Sequence, residues 1–388
     1  MKKILIFYGS YGGGHLAAAK SIKNYIDENY KDVEVKLVDC MEYINKYLNK
    51  LLADSYNEAA KKAPWAWKTA YYLSNDGFLT SRAVTTSNKI FSIKLNTLLQ
   101  EFKPDLIIST HPFGSQMCGI LKKKNKINCK LATVLTDFHI HGQWLVFHEY
   151  CDYFFVSNDQ MKRDMISYGI DSDKIHVSGI PVSSRFTQSY NREAICEELG
   201  LDPNKQTGLF FAGGEFGLGN RTTIMVLKAL IRLFSGLQVI AISGKNPKMK
   251  KKFEKVVEAT NSQDRIKVLE FTNKVPELMS ISSFVITKPG GLTSTESLTS
   301  HLPIIIINPI PGQEEENAQF LVYSGAAIWI KKNDNIARIL KQLQRDPYKL
   351  PAMKESAIAL AKPDSTKSIC EVLMSDNLKE NVAENENM

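Results

Sequence analysis

Residues 303–307, Pro-Ile-Ile-Ile-Ile, form an apolar run with no polar position in it. The run is too short for a core helix and lacks the alternation of a strand with one wet face, so it reads as a strand buried on both faces. Helical patterns precede and follow it, and a doubly covered strand between helices points to a parallel βαβ arrangement. The edge of that unit is polar. In the preceding KPGGLTSTES, Gly290 and Gly291 remove side chains so that an anionic group can approach backbone N–H donors. Thr293, Ser294 or Thr295 is expected to cap a helix starting near Glu296. Beyond the strand, Pro309-Ile-Pro-Gly312 turns the chain and delivers Gln313, Glu314 and Asn317 together, side chains suited to the hydroxyls of a ribose or hexose.

The same alternation runs through the chain twice. Candidate strands are Ile4–Tyr8, Val33–Val38, Leu106–Ser109, Leu131–Leu135 and Tyr153–Val156 in the first half. The second half offers Leu209–Ala212, Gln238–Ile242, Ile266–Leu269, Phe284–Thr287 and Pro303–Ile307. At 388 residues the chain exceeds what one hydrophobic core usually serves. Two doubly wound parallel-sheet domains of class α/β are therefore expected, meeting across a cleft lined by the carboxyl ends of their strands. Gly179-Ile-Pro-Val-Ser-Ser184 is the candidate linker, which places one domain at 1–184 and the other at 185–351. Helical patterns over 352–375 are candidates to pack back on the first domain, and the polar 376–388 reads as a disordered tail.

Six cysteines are scattered without a CxxC pair or zinc-type spacing, which suits a reduced, cytosolic protein. The chain enters directly into the apolar run Ile4–Tyr8, leaving no room for a signal peptide, and no segment reaches the ~20 apolar residues of a membrane span. A net charge of +8 favours anionic partners. Between Lys61 and Lys94 six basic residues face one acid, interleaved with Trp65, Trp67, Tyr71, Tyr72, Phe78 and Phe91. That mixture suits a membrane-surface element, with Lys61 and Lys62 beside the two tryptophans. The plainer alternative is an amphipathic helical pair covering the domain's own core, and composition alone slightly favours it.

Three loops carry candidate chemistry. Tyr8-Gly-Ser-Tyr-Gly-Gly-Gly-His15 follows a strand and opens a helix, but it has neither the dinucleotide register G-x-G-x-x-G nor the Lys-Ser/Thr of a P-loop. His15 at a helix N-terminus should stay neutral near pH 7 and accept a proton, where a merely structural histidine would bond local backbone. In Thr136-Asp-Phe-His-Ile-His-Gly-Gln-Trp144, Asp137 can orient a histidine or activate a hydroxyl, and Trp144 offers a flat apolar surface. His139 and His141 would point to opposite faces if extended, so metal binding is the minor alternative there. Phe211-Ala-Gly-Gly-Glu-Phe-Gly-Leu-Gly219 again follows a strand, and its glycines let backbone amides approach a phosphate.

Together these segments resemble the glycosyltransferase family that contains the monogalactosyldiacylglycerol synthases and the bacterial processive diacylglycerol glucosyltransferases. The lipid I N-acetylglucosaminyltransferase is its more distant member. The resemblance covers 3–375 and is carried by GGGH at 12–15, KKAPWAWK at 61–68, TDFHIHGQW at 136–144, GIPVSSRF at 179–186 and KPGGLTSTES…LP…PIPGQEEENAQFL. It implies a GT-B fold of two Rossmann-like domains, the first for the acceptor and the second for a UDP-sugar. Gly213, Gly214 and Gly217 would approach the diphosphate, the backbone at Phe271 would hold uracil, and Glu296 would bind the ribose hydroxyls. Gln313 and Glu314 would hold the sugar, with Asn317 supporting their loop. His15 matches the family histidine near the acceptor hydroxyl, and the family's aspartate and histidine fall on Asp137 and His141. Ser243 and Glu270 depart from the pattern, where relatives often carry cysteine and glycine.

The resemblance thus implies an inverting hexosyltransferase from UDP-glucose or UDP-galactose to 1,2-diacylglycerol, with repeated transfer among its outcomes. It needs no metal or other cofactor, no nucleic acid, and an anionic membrane on whose inner face the protein sits peripherally. Alternatives are the undecaprenyl-linked peptidoglycan precursor as acceptor, a UDP-sugar epimerase, and a non-catalytic UDP-sugar sensor.

Overall fold

Strands of three to seven residues, each parallel to its neighbours, sort into two six-stranded sheets in the computed structural model, which describes residues 1–9, 13–44, 68–69, 71–72, 92–212 and 220–386. Lys61, Lys62, Trp65, Trp67, Gly213, Gly214 and Gly217 lie outside the described residues. The first sheet holds β1 (Lys2–Tyr8), β2 (Val33–Asp39), β3 (Leu106–Ser109), β4 (Lys130–Val134), β5 (Tyr153–Val156) and β6 (Ile175–Val177) in the order β2-β1-β3-β4-β5-β6. The second holds β7 (Thr207–Phe211), β8 (Gln238–Ile242), β9 (Ile266–Leu269), β10 (Phe284–Thr287), β11 (Ile304–Ile307) and β12 (Ala327–Ile330) in the order β12-β11-β10-β7-β8-β9.

Strand periodicity builds the cores. Leu5 and Phe7 of β1 face one core cluster while Ile4 and Ile6 face another, so both sides of the first sheet are dry. In the second sheet β11 is buried along its whole length, Ile304 to Ile306 fully and Ile307 at 1% exposure. Each isoleucine hidden this way is worth about 1.5–3 kcal/mol, which is why the run tolerates no polar position.

The helices that matter below are α1 (Gly14–Asn29), α2 (Pro112–Lys123), α3 (Asn220–Leu233), α4 (Pro247–Ala259), α5 (Gly291–Thr299), α6 (Gln313–Tyr323), α7 (Lys349–Leu360) and α8 (Ser365–Glu386). The chain divides into two compact units. The second spans Ser184–Ala361, and the first takes the described residues up to Ser183 together with Lys362 onward. Within the first unit, Thr366 Oγ1 donates to Val182 O at 2.7 Å and accepts from Val182 N at 3.1 Å, clasping the Gly179–Ser184 stretch onto α8. Gly179 has φ +89, and a Cβ there would lie 2.5 Å from Lys362 Cβ, so this crossing requires glycine.

Four expectations change. β6 and β12 are strands that the apolar pattern did not announce. Of the two C-terminal helical patterns, α8 returns to the first unit, burying Ile369, Cys370 and Leu373, whereas α7 stays with the second. The tail expected to be disordered continues α8 as helix to Glu386, in line with the helix-forming Leu378, Lys379, Glu380, Ala383 and Glu384 it contains. Finally, α5 begins at Gly291 and not near Glu296, with Gly290 as an N-cap that supplies no side chain. Thr293 lies in the first turn, Ser294 Oγ is buried without a hydrogen-bond partner, and Thr295 Oγ1 donates back to Gly291 O at 2.8 Å, so the last of these hydroxyls serves the helix interior and not its end.

Candidate functional site

Each sheet has one place where neighbouring strands leave toward opposite sides, the usual ligand position in doubly wound sheets. In the first unit this is between β1 and β3, paired with Phe7 opposite Ser109. The loop after β1 leads into α1, whose N-cap Gly13 is left-handed at φ +76, and it sets His15 in the first turn. His15 Nδ1 lies 2.5 Å from Thr110 O, just past β3, and 3.1 Å from Thr136 Oγ1, just past β4. A carbonyl oxygen only accepts, so Nδ1 carries the proton and Nε2 keeps its lone pair. Thr110 Oγ1 completes the clamp by donating to His15 O at 2.9 Å. Burial pushes the His15 pKa down, and it outweighs the nearby Asp137 charge and the Thr110 hydrogen bond, both of which push it up. The ring is therefore neutral and oriented at neutral pH.

Asp137 itself is buried at 6% exposure, on a backbone held by Ser157 Oγ, which donates to Asp137 O at 2.9 Å. The other members of that loop are placed differently from one another. His141 Nδ1 accepts from Gln143 N at 3.3 Å and its Nε2 lies 3.3 Å from Tyr71 O, so both ring nitrogens serve local structure. His139 is exposed. Trp144, expected to present a flat apolar surface, is a correction: it is 4% exposed and packs in the core with Met117 and Leu135 among its cluster, because the 3-10 turn Gly142–Leu145 rotates it inward.

One residue of this site went unread in the sequence. His111, the N-cap of α2, accepts from Phe113 N through Nδ1 at 3.2 Å and meets the His15 ring edge-on with centroids 4.7 Å apart. Burial holds its pKa well below the ordinary histidine value, with His15 adding to the effect. A Cβ at Gly9 would lie 2.8 Å from His111 Cδ2, so the β1 loop is shaped around this ring. The available signal was Thr-His-Pro at a strand end, where Pro112 marks a helix start and the preceding residue a cap.

In the second unit the corresponding place lies between β10 and β7. Here Pro289, Gly290 and Gly291 lead from β10 into α5, whose first amides have no side-chain cap and point beyond the sheet edge. Asn317, fully buried on α6, donates through Nδ2 to Pro289 O at 3.1 Å and fixes this loop. Asn317→Leu would leave that carbonyl unpaired, and a loss of roughly 1–3 kcal/mol is expected in urea unfolding. Glu314 accepts from Ile310 N through Oε2 at 2.6 Å, closing the turn that Pro309 and Pro311 begin. Its Oε1 would stand 3.9 Å from a Cβ at Gly290, which brings Gln313, Glu314 and the glycine pair to one edge.

Glu296 lies one turn further along α5, with Thr293 on the preceding turn. It retains some solvent access, yet protein atoms surround it, and burial alone pushes its carboxyl up to about 8. Phe271 is 61% exposed after β9, with Lys245 Nζ 5.5 Å from its ring centroid. Three strand spacings, roughly 14 Å, separate β9 from β10. An elongated ligand can touch both ends of that edge, whereas a small anion cannot. Among the described residues no group of three or more His, Cys, Asp or Glu is arranged to hold a metal ion.

A family model described as monogalactosyldiacylglycerol (MGDG) synthase matches residues 15–182, and one described as the glycosyltransferase family 28 C-terminal domain matches residues 215–369. Over 379 residues the chain is 30% identical to a processive diacylglycerol beta-glucosyltransferase of Bacillus cereus, covering 97% of this chain and 94% of that protein. Among solved structures, a complex of S. aureus MnaA with UDP superposes with a TM-score of 0.64 at 15% identity, covering 97% of this chain and 98% of that one. MurG of Acinetobacter baumannii superposes with 0.62 at 14% identity, covering 97% and 100%. At these identities the structural likeness is one of fold.

Proposed function

The chain belongs to glycosyltransferase family 28, in the group of the monogalactosyldiacylglycerol synthases, and from that membership we propose that it transfers a hexose from a UDP-sugar to the free hydroxyl of 1,2-diacylglycerol, with inversion to a β-glycoside. The two parallel-sheet units are those of the GT-B fold. The observation that carries the mechanism is the commitment of His15 Nδ1 to Thr110 O, which leaves Nε2 as the basic nitrogen. In this reading Nε2 takes the proton of the acceptor hydroxyl while its oxygen attacks the anomeric carbon and UDP departs. Negative charge developing on the diphosphate is met by the uncapped amides at the start of α5, beside Gly290 and Gly291, without a resident metal. Glu296 accepts hydrogen bonds from the ribose hydroxyls. Gln313 and Glu314 face the hexose, and the backbone at Phe271 takes the uracil.

No described helix is long and apolar enough to cross a membrane. For a lipid acceptor we place the protein peripherally on the inner face of the cell membrane. Incubating the protein with diacylglycerol vesicles and either UDP-glucose or UDP-galactose, then resolving the lipids by chromatography and the anomer by NMR, tests the reading. A β-glycosyldiacylglycerol is expected. Epimerised nucleotide-sugar without a lipid product, transfer only to an undecaprenyl-linked acceptor, or UDP-sugar binding without turnover would each overturn it.

The packing of His111 gives a separate expectation. Gly9→Ala pushes a methyl against the His111 ring, and the edge-on contact transmits the shift to His15. Turnover should fall roughly tenfold with little change in KM for the UDP-sugar, since a small misplacement of a catalytic group is costly while the other unit is untouched. Steady-state kinetics on the purified variant checks this.

A further inference from the structure

On the second unit, α3 and α4 leave between them a groove of about 630 Å³ lined by Arg221, Ile224, Met225, Lys228, Lys252 and Lys255. On α3 these residues recur at the spacing of one helix face, and Lys252 and Lys255 do the same on α4. All four cations are exposed, and none pairs with an acid or hydrogen-bonds to another residue among those described. Met225 is 46% exposed between them. Of the two acids on α4, Glu254 pairs with Lys250 at 3.7 Å, and Glu258, one turn beyond Lys255, forms no ion pair with it.

Clustering unpaired like charges on adjoining helix turns works against the folded state, and an exposed methionine among them adds nothing to it. Both features suit one occupant. The phosphates of an anionic leaflet complement the cations, and the thioether can enter the boundary between headgroups and acyl chains. Single-stranded nucleic acid would call for aromatic stacking surfaces, and the lining has none. A soluble phosphate would call for buried, converging donors, whereas these lysines are long and exposed.

We propose that the α3–α4 face is a contact for anionic phospholipid membranes. It builds on the peripheral membrane docking proposed above by naming a face for it, but it requires neither acceptor recognition nor sugar transfer. Arg221 is left intact in the test, as it adjoins the glycine loop expected at the diphosphate. Full-length wild-type protein and a Lys228→Gln/Lys252→Gln/Lys255→Gln variant are mixed with phosphatidylcholine vesicles, with and without phosphatidylglycerol. Removing three cations at roughly fivefold each should weaken binding to the anionic vesicles on the order of 100-fold, with unchanged melting temperature and unchanged binding to pure phosphatidylcholine. Met225→Ser should weaken it several-fold further without altering the salt dependence.

Binding to anionic vesicles within about twofold of wild type in the triple variant overturns the proposal. So does loss of oligonucleotide or pyrophosphate binding in the variant while vesicle binding persists. Vesicle binding is scored whether or not any sugar is transferred, so failure of the transferase reading leaves this test intact. If transfer does occur, the variant should match wild type in neutral detergent micelles and fall behind only on anionic vesicles.

Discussion

Replacing His15 by alanine is expected to lower the rate of sugar transfer by roughly 10²- to 10⁴-fold while leaving UDP-sugar affinity nearly unchanged. The size follows from removing a positioned base whose tautomer the fold has already selected through Thr110 O. The direction of its pKa fixes the pH profile. Because burial holds the imidazole below its ordinary range, wild-type kcat/KM should be level through pH 7 and fall only at more acid pH, as Nε2 takes up a proton. A depressed histidine pKa also means that the folded state binds fewer protons than the unfolded one. Stability contributed this way is present above roughly pH 6.5 and is lost as pH falls toward the folded-state value. His15→Ala should therefore be less sensitive to mild acid than wild type even as it loses activity. Asp137→Asn separates the two candidate bases. Asp137 raises the His15 pKa, so its neutralisation should shift the acid limb further down and cost far less rate than His15→Ala. A loss equal to or larger than that of His15→Ala would make Asp137 the base.

The legibility of the sequence follows burial. Central strands such as Leu106–Ser109 and Phe284–Thr287 are covered on both faces and paired on both edges, so selection for apolar residues is undiluted and their bounds are readable. Edge strands are read unevenly: β2, β6, β9 and β12 each pair with one neighbour. Yet Val-Glu-Val-Lys-Leu-Val and Ile-Lys-Val-Leu carry a β-branched alternation, whereas Ile-His-Val spans only three residues and Ala-Ile-Trp-Ile lacks a polar position to set a period. At the site, glycines and caps were legible because their chemistry is local, as with Gly290–Gly291 and the Pro309–Gly312 turn. His111 was not, because its importance comes from β1 and β3 being adjacent in the sheet although a hundred residues apart in sequence. Trp144 shows the converse error: an aromatic beside candidate catalytic residues suggests a ligand platform, but local 3-10 geometry decides where its ring goes.

Glu296 is where function and stability pull apart most sharply. A carboxyl pushed to about 8 by burial, against roughly 4.3 in an unfolded chain, is bound to its proton more tightly by the folded state. Stability from this group is full below the unfolded value and is lost as pH rises toward 8, reaching a penalty of roughly 3–4 kcal/mol at pH 7. Glu296→Gln removes the penalty, because a neutral amide fills the same space, so the variant should melt several degrees higher than wild type at pH 7 and show little difference near pH 4. The same variant should bind UDP-glucose roughly 100-fold more weakly, since a carboxylate accepting two ribose hydroxyls is replaced by a group that can offer one oxygen. Ligand binding to the carboxylate must expel the proton that the free protein holds. Titration calorimetry at pH 7 in buffers of different ionisation enthalpy should therefore report release of close to one proton in wild type and none in Glu296→Gln. A UDP-sugar is the proper ligand, because its esterified diphosphate lacks the ionisation near pH 6 of a terminal phosphate. Wild-type affinity should strengthen with pH up to about 8 and level off above it. Equal affinities for the two proteins, or proton release that survives the substitution, would remove Glu296 from the nucleotide site.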